Sequence, residues 1–139
     1  MLIKKSVIYA LANILSSIKI NKLVDKDTKA TLIKEYLQMK KILKDLDEER
    51  DEVVLKFRTD WEDELPKVAE LRKKSEPVVG HDAFLEAEKD ANDTLAALYA
   101  TETEVDFTPI ALDKFISAIG EEDLTLDAIS FLQECGIVE

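Results

Sequence analysis

The chain contains few residues that interrupt regular structure. Only three glycines and three prolines occur in 139 residues, which favours long helices over β-structure. Its single cysteine, Cys135, excludes an intramolecular disulfide and a metal site built from thiolates, and it fits a reducing compartment. We therefore expect one all-α domain over residues 1–139 and a cytoplasmic location.

Long hydrophobic runs and histidines are also scarce. The most apolar run, over residues 7–15, is too short to cross a bilayer. Lys4 and Lys5 precede it as in a signal peptide, but Asn13 interrupts it and a poor cleavage site follows, so we expect no membrane association. His81 is the only histidine, which excludes the Glu-x-x-His pairs of di-iron bundles and zinc sites built from histidines.

The net charge of -11 is distributed unevenly along the chain. Residues 1–44 carry ten lysines and three acidic residues (+7), residues 45–80 carry -5, and residues 81–139 carry -13. The basic first third has no arginine, and Tyr9 and Tyr36 are its only aromatic residues, so it is poorly suited to phosphate recognition or base stacking. The lysines are therefore expected to solvate helix faces or to meet acidic helices of the same chain or a neighbouring copy, and nucleic acid is disfavoured.

The dominant pattern is an apolar stripe with spacings of four and three residues, typical of a coiled coil or another helix-packing seam. It predicts one helix over residues 25–74, kinked rather than broken at Pro66. Such a helix would be about 75 Å long, more than a compact domain of this size can cover. We therefore predict self-association into a homo-oligomer, with an interface formed by Leu32, Tyr36, Met39, Leu43 and Leu46.

The remaining elements complete a helical bundle over residues 1–104. Ser6 is predicted to cap a first helix that ends near Asn21, and a turn over residues 75–81 precedes a third helix from Asp82 to about residue 101. A short ribbon is predicted between residues 1–4 and 103–107. The third helix is expected to pack antiparallel on the Phe57 to Leu71 part of the long helix, through Phe84, Ala87, Ala91, Leu95 and Leu98.

Residues 105–139 are predicted to form a small helical hairpin. Thr108 and Thr125 have the features of helix N-caps, and Gly120 and Gly136 those of helix ends. The hairpin either completes the core or docks a partner, and the sequence leaves both readings open. Its expected buried residues are Leu112, Phe115, Ile116, Ile119, Ile129, Leu132 and Cys135.

The best candidate for enzyme chemistry is the acidic stretch over residues 48–52. It resembles the Glu-Glu-x-x-Glu helix of all-α nucleoside triphosphate pyrophosphatases, in which carboxylates one turn apart hold Mg²⁺, and the matching ligands would be Glu48, Glu49 and Glu52. The second acidic pair of those enzymes does not follow. Consecutive charges on a helix point around its circumference, as on a solvated surface. We therefore assign no catalytic residue and no cofactor, and an enzyme is not the favoured hypothesis.

The order of segments is similar to that of small phage and prophage proteins of uncharacterised function. The resemblance comprises a short start at Leu2-Ile3-Lys4, a helix from Ser6, a long Lys/Glu-rich helix, and the segment over residues 105–110 before small C-terminal helices. It implies a cytoplasmic, phage-encoded protein. The leading hypothesis is a non-enzymatic interaction or assembly module that binds its own copies or a phage or host protein. The alternatives are the pyrophosphatase and a nucleic-acid accessory protein.

Overall fold

The computed structural model describes residues 1–19, 25–119 and 124–139. The predicted all-α class is confirmed. Within these ranges two strands form the small predicted ribbon. Among the described residues, no helix combines the length and the apolar character that crossing a membrane requires. In chain order the elements are β1 (Leu2–Lys4), α1 (Lys5–Ser17), α2 (Lys26–Asp60), α3 (Leu65–Lys73), α4 (Asp82–Ala100), β2 (Glu102–Glu104), α5 (Leu112–Ala118) and α6 (Leu126–Glu134).

The contacts divide the chain into two compact units. Unit 1 comprises Met1–Lys44 and Thr101–Glu139, and unit 2 comprises Asp45–Ala100. The helix α2 contributes its first part to unit 1 and its second part to unit 2. The sequence pattern predicted a single domain, subdivided into a bundle over residues 1–104 and a hairpin over residues 105–139.

The ribbon of unit 1 joins the two chain segments that form this unit. Strands β1 and β2 pair antiparallel, with Ile3 opposite Thr103. The ribbon also explains why Ser6 is not the N-cap of α1, as the sequence had suggested. The backbone N–H of Lys5 donates to the carbonyl of Thr101 at 2.9 Å, so a backbone group already satisfies the first amide of the helix. The helix α1 ends at Ser17, and Asn21, its expected end, lies outside the described residues.

The C-terminal hairpin contributes much of the core of unit 1. Thr125 caps α6 as predicted, because its hydroxyl accepts from the Ala128 N–H at 3.1 Å. The predicted cap at Thr108 is wrong: α5 begins at Leu112, after an N-cap at Ala111. Leu112 and Ile116, which were expected to be buried, are exposed, and the buried side of α5 consists of Phe115 and Ala118. Gly136 has a left-handed backbone (φ +83°) after α6, and Gly120 lies outside the described residues. The buried residues among the described part of this segment are Val105, Ile110, Phe115, Ala118, Ile119, Leu132, Cys135, Ile137 and Val138.

Unit 2 is a helical hairpin whose first arm is interrupted by a turn between α2 and α3. The helix α2 ends at Asp60, and α3 begins at Leu65 with Pro66 in its first turn. A turn over residues 61–64, rather than a kink in one helix, therefore stands where the sequence predicted continuity. Proline has no N–H and its ring clashes with the carbonyl four residues earlier, here that of Glu62, so the preceding turn is where a helix ends.

The helix α4 packs antiparallel on α2, as predicted. Phe84, near the start of α4, is 1% exposed, and its ring lies 5.4 Å from Phe57 and 5.8 Å, edge to face, from Trp61. Arg72 of α3 binds Glu88 of α4 through two hydrogen bonds of 2.8 and 2.6 Å. These contacts fix α4 beside α2 and α3.

Candidate functional site

The predicted interface residues lie mostly in the interior. Leu32, Met39, Leu43 and Leu46 are 8% exposed or less, and Tyr36 is half-buried. Leu15 of α1 and Leu32 line the same small apolar pocket, so α1 covers this part of α2. The stripe is thus largely covered within one chain, and a surface for association has to be sought elsewhere.

A different face of α2 in unit 1 is exposed and basic. Ile33 is 43% exposed and Leu37 is 60% exposed, one helical turn apart. A period of 3.6 residues places three exposed lysines on the same face. We call this face the lysine stripe: Lys26, Ile33, Leu37, Lys40 and Lys44.

Unit 2 has an open groove between α2 and α4. Its volume is about 350 Å³, and its apolar lining consists of half-buried side chains. Ala87 and Ala91 are small, which leaves space beside Phe57 and Trp61. We call this feature the hairpin groove, lined by Val53, Lys56, Phe57, Asp60, Trp61, Ala87, Asp90, Ala91 and Thr94.

A smaller cleft of about 170 Å³ has a lining that overlaps that of the hairpin groove. Val54, Leu65 and Leu95 contribute its apolar surface, and Arg58 and Glu88 are among its polar groups. Val68 of α3 is buried. A two-helix hairpin buries only one stripe of each helix, which explains why half-buried apolar residues line two clefts.

Unit 1 also contains a buried carboxyl group, that of Glu35. Glu35 is 2% exposed, and its Oε1 accepts from the Thr108 N–H at 2.8 Å. Its Oε2 is buried and has no hydrogen-bond partner among the described residues. Burial raises the pKa of Glu35 to about 7, against the opposing effects of the Thr108 N–H and of Lys34. The sequence analysis counted Glu35 only as a charge, although its position one turn from both Leu32 and Met39 places it on the buried stripe.

The segment that contacts Glu35 is held on α2 at a second point. With its amide oriented to satisfy both groups, Gln38 accepts from the Asp106 N–H at 3.0 Å and donates to the Asp106 carbonyl at 3.3 Å. Gln38 lies one turn after Glu35 on the same helix. The segment between β2 and α5 is therefore fixed to α2 by side-chain to backbone hydrogen bonds. Thr108 does not cap a helix because the chain after it is not helical: Ile110 pairs with Val138, and its N–H donates to the Ile137 carbonyl at 3.0 Å.

The acidic stretch proposed for Mg²⁺ lies on an exposed part of α2. Glu48, Glu49 and Glu52 are all exposed. Within this stretch Arg50 forms ion pairs with Asp47 and Asp51, both at 3.1 Å. In the described part of the chain, no group of three or more His, Cys, Asp or Glu side chains is arranged to hold a metal ion. The structure therefore does not bring the three glutamates together as a ligand set.

Replacing Glu48, Glu49 and Glu52 together with Gln is expected to change the free energy of unfolding by less than about 0.5 kcal/mol, as is usual for exposed side chains. Mg²⁺ at about 5 mM is expected to give no saturable stabilisation beyond that of NaCl at equal ionic strength. Thermal unfolding of both proteins with each salt measures this. A saturable effect of Mg²⁺ that the triple substitution abolishes would support the pyrophosphatase instead.

His81 has a structural contact in unit 2. Its Nδ1 lies 3.0 Å from Oε2 of Glu64, which precedes α3. His81 itself precedes α4, and its carbonyl accepts from the Leu85 N–H at 3.0 Å. This placement agrees with the turn that the sequence predicts over residues 75–81.

Comparison of the chain with family models, curated proteins and solved structures found no significant match.

Proposed function

We propose that the protein is a non-enzymatic helical assembly module that associates with further copies of itself. The observation that supports this proposal is the hairpin groove, in which Val53, Phe57 and Trp61 remain half-buried. Partly exposed aromatic residues in a groove are typical anchors of protein interfaces. Val53 and Phe57 belong to α2, so the long helix still provides part of the contact, through residues other than those predicted.

The sequence supplies the rest of the proposal. The resemblance in segment order suggests a phage-encoded protein, with a phage or host protein as the alternative partner. The single cysteine suggests a cytoplasmic location. The pyrophosphatase and the nucleic-acid accessory protein remain alternatives, and no contact among the described residues of either unit favours them over assembly.

The full chain is expected to form a dimer or higher oligomer at tens of micromolar. Ala87→Glu should weaken this association by at least about tenfold, because it introduces a charge into the apolar lining of the groove. The matched control is Ala96→Glu, which makes the same change at an exposed position of α4 outside the groove. Sedimentation equilibrium measures all three proteins, and a monomeric parent protein would contradict the proposal.

A further inference from the structure

We infer that the lysine stripe of one copy docks in the hairpin groove of another copy. This inference rests on the proposed self-association, and it adds which two surfaces meet. Both surfaces are exposed or half-buried in the chain, and they carry opposite charge. The sequence pattern indicated only that lysines of the first third could meet acidic helices of the same chain or a neighbouring copy, without identifying either surface.

The apolar parts of the two surfaces match in form. Ile33 and Leu37 project from α2 at an interval of one turn. The aromatic and aliphatic residues that line the groove also recur at intervals of one turn. They are Val53 and Phe57 of α2 and Trp61 just after it, and they extend over about 12 Å. Side chains one turn apart on a helix fit a groove between two other helices in the way that a third helix completes a bundle.

The charges around these apolar parts are complementary. Residues 26–44 of α2 carry six lysines and two acidic residues, a net charge of +4. Unit 2 carries 17 acidic and 8 basic residues, a net charge of -9. Asp60 and Asp90 line the groove itself, together with Lys56. The lysines of the stripe can therefore approach carboxylates while Ile33 and Leu37 enter the groove.

Charge also disfavours the pairing of like surfaces. Two hairpin grooves would bring Asp60 and Asp90 of one copy near those of the other, on units that each carry a net charge of -9, and two lysine stripes would bring like charges together. Complementary potentials across an interface steer encounter and suppress wrong pairings. The pairing of stripe with groove is the combination of these surfaces that gains apolar contact without repulsion.

The test uses charge reversal on each surface of the full chain. The stripe variant is Lys40→Glu with Lys44→Glu, and the groove variant is Asp60→Lys with Asp90→Lys. All four positions are exposed, so the variants are expected to fold as the parent protein does. Each variant alone should associate at least about tenfold more weakly than the parent. An equimolar mixture of the two should recover the association, because each supplies the surface that the other lacks.

Two control variants make the same charge changes elsewhere in unit 2. They are Lys67→Glu with Lys73→Glu, and Glu70→Lys with Glu76→Lys, all at exposed positions that do not line the groove. Both should associate within about threefold of the parent, since distant surface charges are largely screened. Trp61, the only tryptophan of the chain, lies in the groove. Its emission should shift with association in the parent, in the controls and in the mixture.

The outcomes separate this inference from the proposed function. If the parent associates but both charge-reversal variants associate like their controls, the pairing of stripe and groove is wrong and self-assembly stands. If the parent is monomeric at about 50 µM, the proposed function itself fails. Loss of single-stranded RNA binding in the stripe variant, with unchanged association, would overturn the inference in favour of the nucleic-acid alternative.

Discussion

The free energy of unfolding is expected to fall by about 3 kcal/mol as the pH rises from about 4.5 to about 7, because of Glu35. Burial is the main cause that raises the pKa of Glu35 from 4.5 to about 7 in the folded protein. One pKa unit corresponds to about 1.4 kcal/mol of difference between the two protonation states. Oε2 of Glu35 explains why this pKa is raised. Ionisation would place a charge on a buried oxygen that has no hydrogen-bond partner among the described residues.

The sign follows from the protons bound in each state. Between pH 4.5 and about 7 the folded protein holds the Glu35 proton while the unfolded chain has lost it, so stability decreases as pH rises. This contribution of Glu35 to the free energy of unfolding is complete below about pH 4.5 and absent above about pH 7. Asp25 and Glu88 act with the opposite sign at lower pH, because hydrogen bonds with Thr28 and Arg72 lower their pKa values.

The substitution Glu35→Gln isolates this effect, because the amide is neutral at every pH and its oxygen can still accept from the Thr108 N–H. The variant should lack this decrease in stability and should exceed the parent in free energy of unfolding at about pH 8. The control is Glu48→Gln, the same change at an exposed position of α2. Urea unfolding followed by circular dichroism across the pH range measures all three proteins.

A second measurement reports the protonation of the Glu35 carboxyl group directly. The chemical shift of the Thr108 amide proton should titrate with a midpoint near pH 7 in the parent, because this N–H donates to Glu35 at 2.8 Å. The titration should disappear in the Glu35→Gln variant. A midpoint near 4.5, or parallel stability curves for the parent and the variant, would contradict the prediction.

The substitutions Leu132→Ala and Ile137→Ala are each expected to lower the free energy of unfolding by about 2 to 5 kcal/mol. Both side chains are 0% exposed, so truncation removes buried surface and leaves a cavity. Ile137 also lies where the chain end joins the core: its carbonyl accepts from the Ile110 N–H at 3.0 Å. Because domains of this size have only about 5 to 15 kcal/mol of total stability, the double variant should be largely unfolded.

The control for these two variants is Leu126→Ala in the same hairpin. Leu126 is 86% exposed, so its truncation should change the free energy of unfolding by less than about 0.5 kcal/mol. Urea unfolding followed by circular dichroism measures the three variants. If Leu132→Ala and Ile137→Ala left stability unchanged, the C-terminal hairpin would be a docking element rather than part of the core.

The sequence alone determined features that depend on neighbouring residues. The scarcity of glycine and proline determined the all-α class, and the periodic stripe determined that α2 is long. The caps at Thr125 and Gly136 were also predictable, because capping involves groups within about one turn of each other. The stretch around Pro66 was predicted as a kink because the seam continues past it, whereas the structure has a turn between α2 and α3.

Only the tertiary structure decided which apolar surfaces remain uncovered. The stripe from Leu32 to Leu43 is largely covered within unit 1, because α1 and the returning C-terminal segment share this unit with the first part of α2. That return depends on contacts between residues more than 70 positions apart, such as Glu35 with Thr108. The return also buries Glu35, and the pairing of Ile110 with Val138 keeps the chain after Thr108 out of a helix. Helical periodicity specifies which residues share a face, but it does not specify what packs against that face.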